Sequence, residues 1–175
     1  MTATDDEGTR SRQRVGGRAA RLPGGLMSTT KFSHVDSLGE AACLVKLQLI
    51  SDSTGALGIA EMSKHIGFAP HRLYFITDVQ EGVVRGAHAH RSLRQCFICL
   101  RGGVTVDLEK LNQRISFRLD DYGIALILPA GYWRELREFT DDALLVVLAS
   151  AEYDEADYIR DYDAFHAWEA NCSRS

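Results

Sequence analysis

The chain has 175 residues, which is enough for one well-packed domain and too few for two of ordinary size. Its hydrophobic share of 45% and charged share of 25% are those of an ordinary globular protein. A net charge of −4 argues against a nucleic-acid partner, which normally requires a basic face. The sequence has neither the roughly 20-residue apolar run that spans a bilayer nor the pattern of a signal peptide. We therefore expect a cytoplasmic protein with no membrane or nucleic-acid partner.

The N-terminal part of the chain differs in composition from the remainder. Residues 1–30 are rich in Gly, Arg, Ser and Thr and show no apolar periodicity. Such a segment buries too little apolar surface to offset the entropy lost on ordering. We predict a disordered extension over residues 1–30 and a single folded domain over residues 31–175.

From residue 42 onward, short apolar runs alternate with turn-forming residues. Val45, Leu47 and Leu49 alternate with polar residues, which predicts a half-buried strand. Further strands are predicted at residues 72–79, 83–90, 95–100, 104–108, 115–119, 124–128, 133–139 and 143–149. Many short strands at even spacing favour a sandwich, jelly roll or barrel. The one predicted helix, at about residues 163–170, makes the fold all-β with a short C-terminal helix.

Cys96 and Cys99 have the C-x-x-C spacing found in zinc and redox sites. They lie in a predicted strand, where side chains three residues apart point to opposite faces. The sequence also lacks a second C-x-x-C pair. We interpret both as buried structural cysteines.

Two motifs stand in the order found in one family of β-barrels. The first contains His88-Ala89-His90 between Gly82 and Gly102, and the second is the Pro-Ala-Gly of residues 129–131. Together they resemble the two signatures of cupins. In that family a Gly is followed by H-x-H, an acidic residue and a Gly, and later a P-x-G precedes a histidine. The resemblance implies a cupin fold, a double-stranded β-helix or jelly-roll barrel.

The chain departs from the metal-binding cupins at two of the four ligand positions. Gln95 stands in the place of the acidic residue, and Arg134 stands in the place of the later histidine. A neutral amide is a poor substitute for a carboxylate, and a permanently charged guanidinium repels a cation. We therefore predict that His88 and His90 bind no metal.

On a strand, His88 and His90 project to the same face because side chains repeat with period two. Imidazoles with an ordinary pKa near 6.5 exchange protons at neutral pH. The alternative is a pair of core histidines bonded to the backbone. Within the cupin pattern, we interpret them as an acid–base pair.

A closer resemblance covers about residues 40–168. Beyond the two histidines it is carried by Trp133-Arg134-Glu135-Leu136 and by residues 145–150 and 153–165, of which residues 153–160 (YDEADYIR) are the most specific piece. These segments look like the sugar 3,4-ketoisomerases, which act on nucleotide-linked 4-keto-6-deoxyglucose, usually the dTDP form. The resemblance implies a cofactor-free isomerase of deoxyamino-sugar biosynthesis. It also implies a homodimer with strands exchanged between the subunits.

Moving a ketone from C4 to C3 requires a base and an acid of similar pKa. The resemblance makes His88 the first choice for the carbon proton, which leaves His90 to move protons between the two oxygens. Tyr74 is a candidate proton donor or hydroxyl anchor, with simple packing as the alternative.

Three further residues are predicted to bind the substrate. Arg85 would stabilise the enediolate or bind the diphosphate, unless it is a solvent-facing arginine. Gln95 would bind a sugar hydroxyl or orient a histidine. Arg134 should point into the pocket, the alternative being an ion pair with Glu135.

The acidic C-terminal segment at residues 153–165 allows two interpretations. It either belongs to the active site or packs Tyr158, Ile159 and Phe165 over the barrel, and we favour the second. Three other functions stay open: a nucleotide-sugar 3,5-epimerase, a non-catalytic sugar-binding cupin and a metal-dependent oxygenase. The nucleotide and the C4 configuration of the product are not predicted.

Overall fold

A computed structural model of the chain describes residues 41–173. The predicted extension over residues 1–30 lies outside the described residues. Within the described part, no helix has the length and hydropathy needed to cross a membrane.

The described chain consists of short strands and ends in a helix, as predicted. The strands are β1 (Cys43–Lys46), β2 (Gln48–Asp52), β3 (Gly55–Ile59), β4 (Arg72–Thr77), β5 (Arg85–His90), β6 (Gln95–Arg101), β7 (Val104–Lys110), β8 (Gln113–Leu119), β9 (Ile124–Leu128), β10 (Trp133–Arg137), β11 (Leu144–Ala149) and β12 (Tyr158–Ile159). A π-helical turn spans Met62–Ile66, a 3₁₀ turn spans Glu155–Asp157, and helix α1 spans Tyr162–Cys172.

Two five-stranded antiparallel sheets enclose the main core. Their strand orders are β1-β9-β6-β11-β4 and β12-β5-β10-β7-β8, and β2 and β3 form a separate hairpin. The core contains buried side chains from both sheets, including Phe97, Leu126 and Leu145 of the first and Val106 and Leu136 of the second. Burial of these apolar surfaces is the main force that holds the sheets face to face.

Strand β6 shows how alternation separates the two sides of its sheet. Cys99 packs between the sheets, whereas Cys96 packs in a second cluster with Val45 and Ile127. The prediction that Cys96 and Cys99 point to opposite faces is therefore confirmed. Burial raises the pKa of the Cys96 thiol to about 12, so this thiol is not a nucleophile at neutral pH.

A β-bulge between β5 and β10 sets the register of the two strands that carry the histidines. Arg134 pairs with His88, but Leu136 pairs with Arg85, so β5 has one extra residue between these pairs. Gly86 lies in the bulge with a φ of 79°, a conformation that side-chain-bearing residues rarely adopt. Because Arg134 pairs directly with His88, and His88 and His90 are two residues apart, the three side chains share one face of the sheet.

The predicted strand through Val45, Leu47 and Leu49 is two strands, β1 and β2, and β2 turns back into β3. The turn lies at residues 52–55, where the Asp52 carboxylate accepts a hydrogen bond from the Thr54 amide at 2.7 Å. Nearly all residues of this β2–β3 hairpin are exposed, including Ile50 and Leu57.

The C-terminal helix covers one end of the second sheet. Asp161 caps its N-terminus by accepting a hydrogen bond from the Ala164 amide at 2.8 Å. Phe165 is fully buried and packs with Ala89, Trp133 and Ile159. This confirms that the C-terminal segment packs over the barrel, and the helix extends slightly beyond its predicted ends.

Candidate active site

His88 and His90 lie side by side on the inner face of β5, as their spacing predicts. Their ring centroids are 5.0 Å apart and the rings are nearly perpendicular. His90 is buried and His88 is half-buried. Their environment is made by side chains from β4, β6, β10 and the C-terminal segment.

Arg134 reaches both imidazoles from the neighbouring strand. It is buried, and its Nη2 lies 2.9 Å from Nε2 of His90 and within hydrogen-bond distance of Nε2 of His88. Glu135 lies on the opposite face of β10, where it accepts a hydrogen bond from the Trp133 indole at 3.3 Å. The alternative of an Arg134–Glu135 ion pair is therefore wrong, since the alternation of the strand separates the two side chains.

Burial and the nearby guanidinium hold both histidines in the neutral form. Burial is the larger cause and Arg134 the next, and together they lower the pKa of His88 to about 2 and that of His90 to about 4. Burial also lowers the pKa of Arg134, to about 10, so the guanidinium still carries its charge at neutral pH. The sequence alone gives the ordinary imidazole value near 6.5 because it does not show this environment.

Tyr74 and Gln95 form a second pair beside the histidines. The buried Gln95 amide nitrogen lies 2.8 Å from the Tyr74 hydroxyl and donates to it. Burial raises the pKa of Tyr74, against the opposing charge of Arg134. In the described chain Gln95 therefore orients a tyrosine, whereas the sequence suggested a histidine or a sugar hydroxyl as its partner.

Arg85 lies apart from the other predicted site residues. It is exposed at the start of β5, next to the bulge. Within residues 41–173 no hydrogen bond or ion pair connects it to His88, His90 or Arg134.

The C-terminal segment contributes two side chains that were not among the predicted site residues. Nδ1 of His90 lies 2.8 Å from Oδ2 of Asp157. The Tyr158 ring packs on both imidazoles, with centroids 4.9 Å from His88 and 4.3 Å from His90. Tyr158 lies in β12, where it pairs with His90, and Asp157 precedes it at the end of the 3₁₀ turn. The segment therefore packs over the barrel and also contributes to the site. The feature of the sequence that could have indicated this second role is the high density of acidic residues in the segment.

The residues around the two imidazoles do not suit a divalent cation. Arg134 directs a donating nitrogen at the Nε2 atoms that a metal would need, and Gln95 is engaged with Tyr74. Within residues 41–173, no group of three or more His, Cys, Asp or Glu side chains is placed to hold a metal ion.

Residues 40–170 match the family described as "FdtA: WxcM-like, C-terminal". The chain belongs to this family. A curated member from Aneurinibacillus thermoaerophilus, TDP-4-oxo-6-deoxy-alpha-D-glucose-3,4-oxoisomerase, is 38% identical over 122 residues, which are 70% of this chain and 88% of that protein.

The chain is also similar to solved structures of 3,4-ketoisomerases. One is a point mutant of the 3,4-ketoisomerase QdtA from Thermoanaerobacterium thermosaccharolyticum in complex with TDP-4-keto-6-deoxyglucose. It is 36% identical, with a TM-score of 0.72 over 74% of this chain and 94% of that chain. A 3,4-ketoisomerase from Helicobacter canadensis is 36% identical, with a TM-score of 0.71 over 74% of this chain and 97% of that chain. The cupin fold predicted from the sequence is thereby confirmed.

Proposed function

We propose that this protein is a nucleotide-sugar 3,4-ketoisomerase that converts dTDP-4-keto-6-deoxyglucose to its 3-keto isomer in deoxyamino-sugar biosynthesis. The family supports the reaction class, and a relative at 38% identity carries the name of this activity. The observation that carries the proposal to this chain is the pair of neutral imidazoles of His88 and His90 on the inner wall, beside the Arg134 guanidinium.

The reaction needs two proton transfers and no net gain or loss of electrons. A proton leaves C3 and a proton is returned to C4, while the hydroxyl proton moves from O3 to O4 through an enediol. Substrate and product are isomers, so acid–base groups and a charge-stabilising donor are sufficient. Positioned acid–base groups typically contribute about 10²–10⁴ in rate.

The two histidines divide the proton transfers in this proposal. His88 takes the proton from C3 and returns it to C4, and His90 moves the proton between O3 and O4. The guanidinium of Arg134 stabilises the developing enediolate charge. When the C4 carbonyl oxygen of the bound substrate accepts the hydrogen bonds of Arg134, Nε2 of each imidazole becomes free to accept a proton, since Arg134 occupies both in the resting site.

Tyr74 and Gln95 support this chemistry from the facing sheet. Because Gln95 donates to the Tyr74 oxygen, the hydroxyl proton of Tyr74 remains to be donated to a sugar oxygen. Arg85 binds the diphosphate of the nucleotide in this proposal. Its exposed position at the edge of the site supports that role over contact with the enediolate.

We also propose that the protein is a homodimer. Leu73 and Phe75 lie on β4, an edge strand of the first sheet, and their outward faces are 61% and 63% exposed. The β2–β3 hairpin also exposes Ile50 and Leu57. Apolar side chains on an unpaired edge are a typical surface for a second copy of the same chain.

An assay with dTDP-4-keto-6-deoxyglucose in deuterated water tests the function. The isomerase yields a 3-keto product that a pyridoxal-phosphate aminotransferase traps. A 3,5-epimerase instead exchanges deuterium at C3 and C5 and inverts those centres. A wild-type protein that binds dTDP but turns over no 4-keto sugar nucleotide would establish the non-catalytic sugar-binding alternative.

Analytical ultracentrifugation of the full chain tests the dimer. Phe75→Glu should shift the protein to the monomer, because a charge on an apolar interface is costly to desolvate. Ile115→Glu, at an exposed apolar position of β8, the edge strand of the other sheet, is the matched control and should leave the dimer intact. A wild-type monomer at micromolar concentration would overturn this part of the proposal.

A further inference from the structure

We propose that Asp157 is a positioning residue that holds His90 in the tautomer with its hydrogen on Nδ1, and thereby makes Nε2 the proton-accepting nitrogen in the pocket. The catalytic consequence rests on the proposed isomerase function. The tautomer itself is a property of the resting protein and can be measured without turnover.

The contacts of His90 determine its tautomer from both sides of the ring. Nε2 lies 2.9 Å from Nη2 of Arg134, and a guanidinium nitrogen only donates. Nε2 must therefore be the accepting nitrogen of the neutral ring. Nδ1 lies 2.8 Å from Oδ2 of Asp157, and a carboxylate only accepts. Both contacts are satisfied together in one neutral tautomer, with hydrogen on Nδ1.

Asp157 is itself held in place by hydrogen bonds from the loop that follows β5. The backbone amide and the hydroxyl of Ser92 both donate to Oδ1 at 2.7 Å, and the Arg91 amide donates to the Asp157 carbonyl at 2.9 Å. One carboxylate oxygen thus faces Ser92 and the other faces His90. Burial by itself would raise the pKa of Asp157, but these hydrogen bonds and His90 outweigh it, so the pKa is lowered and the group is ionised at neutral pH.

The same arrangement distinguishes the two imidazoles. Within residues 41–173, the hydrogen bond from an imidazole nitrogen to a carboxylate is made by His90 and not by His88. An ionised carboxylate on Nδ1 stabilises the imidazolium that forms when Nε2 accepts a proton. Consistently, Asp157 opposes the lowering of the His90 pKa, and the pKa of His88 is the lower of the two. Asp157 therefore makes His90, rather than His88, the imidazole that transiently accepts a proton from the sugar oxygens.

Asp157→Asn is the decisive variant. Its carbonyl oxygen can still accept from Ser92, which directs the amide NH₂ at Nδ1 of His90. Nδ1 must then accept, so the hydrogen moves to Nε2 and the hydrogen bond from Arg134 to Nε2 is lost. We expect kcat to fall by about 10²–10⁴, the range for a lost acid–base group. KM for the nucleotide sugar should change by less than about threefold, because the substrate-binding groups stay in place. Nitrogen-15 NMR of labelled imidazoles should show Nε2 of His90 unprotonated in the wild type and protonated in the variant.

Asp154→Asn is the matched control. Asp154 lies in the same segment, and among the described residues its exposed side chain accepts a hydrogen bond from the Ala156 amide rather than contacting His90. It should retain the wild-type kcat and the wild-type tautomer. Wild-type His90 protonated at Nε2, or Asp157→Asn with an unchanged tautomer or unchanged kcat, would overturn the proposal. If the wild type instead shows no isomerase activity, the proposed function fails, and the NMR measurement still decides the role of Asp157.

Discussion

The second sheet bears a polar cluster on each face, and the two clusters differ in how their charges are paired. The outer groove is a cavity of about 440 Å³ lined by Asp107, Glu109, Arg114, Trp133, Arg137 and Tyr162, among others. The inner site contains His88, His90 and Arg134, and the cavity at His90 and Asp157 measures only about 70 Å³. The outer groove is therefore the larger of these two cavities.

The arginines of the outer groove are paired with carboxylates. Arg137 bonds both oxygens of Asp107, and Arg114 bonds Glu109 at 2.7 Å. The Tyr162 hydroxyl also donates to Glu109 at 2.8 Å. Such partly exposed, matched pairs are common on protein surfaces and contribute little free energy.

The inner site, by contrast, has a buried cation that faces two neutral imidazoles. Among residues 41–173, Arg134 forms no ion pair with a carboxylate. His90 lies between its guanidinium and the carboxylate of Asp157. Groups whose pKa is strongly shifted by burial and by a specific neighbour mark functional sites more often than matched ion pairs do. The incompletely compensated charge of Arg134 therefore distinguishes the inner site from the outer groove.

The largest difference in kcat should be between two histidine variants, one in the inner site and one beside the outer groove. His88→Asn should lower kcat by about 10²–10⁴ in the coupled assay, because the carbon proton loses its acceptor. His166→Asn removes an imidazole that lies 3.6 Å from Glu109 in the outer groove and should leave kcat within about twofold of wild type. Equal losses in the two variants would mean that the inner site has no special role.

The next contrast compares two arginines of β10. Arg134→Met removes the charge that depresses both inner imidazoles, so the pKa values of His88 and His90 should rise toward 6.5. It should also lower kcat by about 10²–10³, the usual cost of one oxyanion-stabilising donor. Proton NMR titration of the histidines measures the first effect. Unchanged titration after Arg134→Met would show that burial alone sets these pKa values.

The lowered pKa values also predict an acid-sensitive fold. Between the folded values of about 2 and 4 and the unfolded value near 6.5, the unfolded chain binds protons that folded His88 and His90 do not. The free energy of unfolding should therefore decrease as the pH falls below 6.5, by at most about 1.4 kcal/mol per pH unit for each histidine. Urea denaturation at several pH values measures this slope, and His90→Gln should reduce it. A slope unaffected by that substitution would contradict the assignment.

The smallest effect is expected in the outer groove. Arg137→Met breaks the ion pair with Asp107, yet it should lower the free energy of unfolding only slightly, because the pair is partly exposed. It should leave kcat unchanged and so serves as the matched control for Arg134→Met. A large loss of activity would move the functional site to the outer face.

Much of the fold could be predicted from local patterns. Strand alternation and turn residues placed β4 to β11 to within a few residues, and the spacing of His88 and His90 put both on one face. The bulge at Gly86 and the β2–β3 hairpin were missed. Each depends on which strands pair, and a single run such as residues 45–49 reads equally well as one strand or two.

The site was predictable only where its residues lie on regular strands. Arg134 was predicted to point into the pocket from its place in the second cupin motif, and in the structure it does so from β10, paired with His88. The contact of Asp157 with His90 joins residues 67 positions apart and depends on how the C-terminal segment crosses β5. No local periodicity encodes that crossing.

The short strand β12 has a practical consequence. It joins β5 through only two residue pairs, yet it brings Asp157 and Tyr158 to the imidazoles. The amide hydrogens of Arg91 and Ser92, which donate to the carbonyl and carboxylate of Asp157, can exchange with solvent only when this crossing opens. Their exchange rates thus report how often the site comes apart, separately from the stability of the barrel.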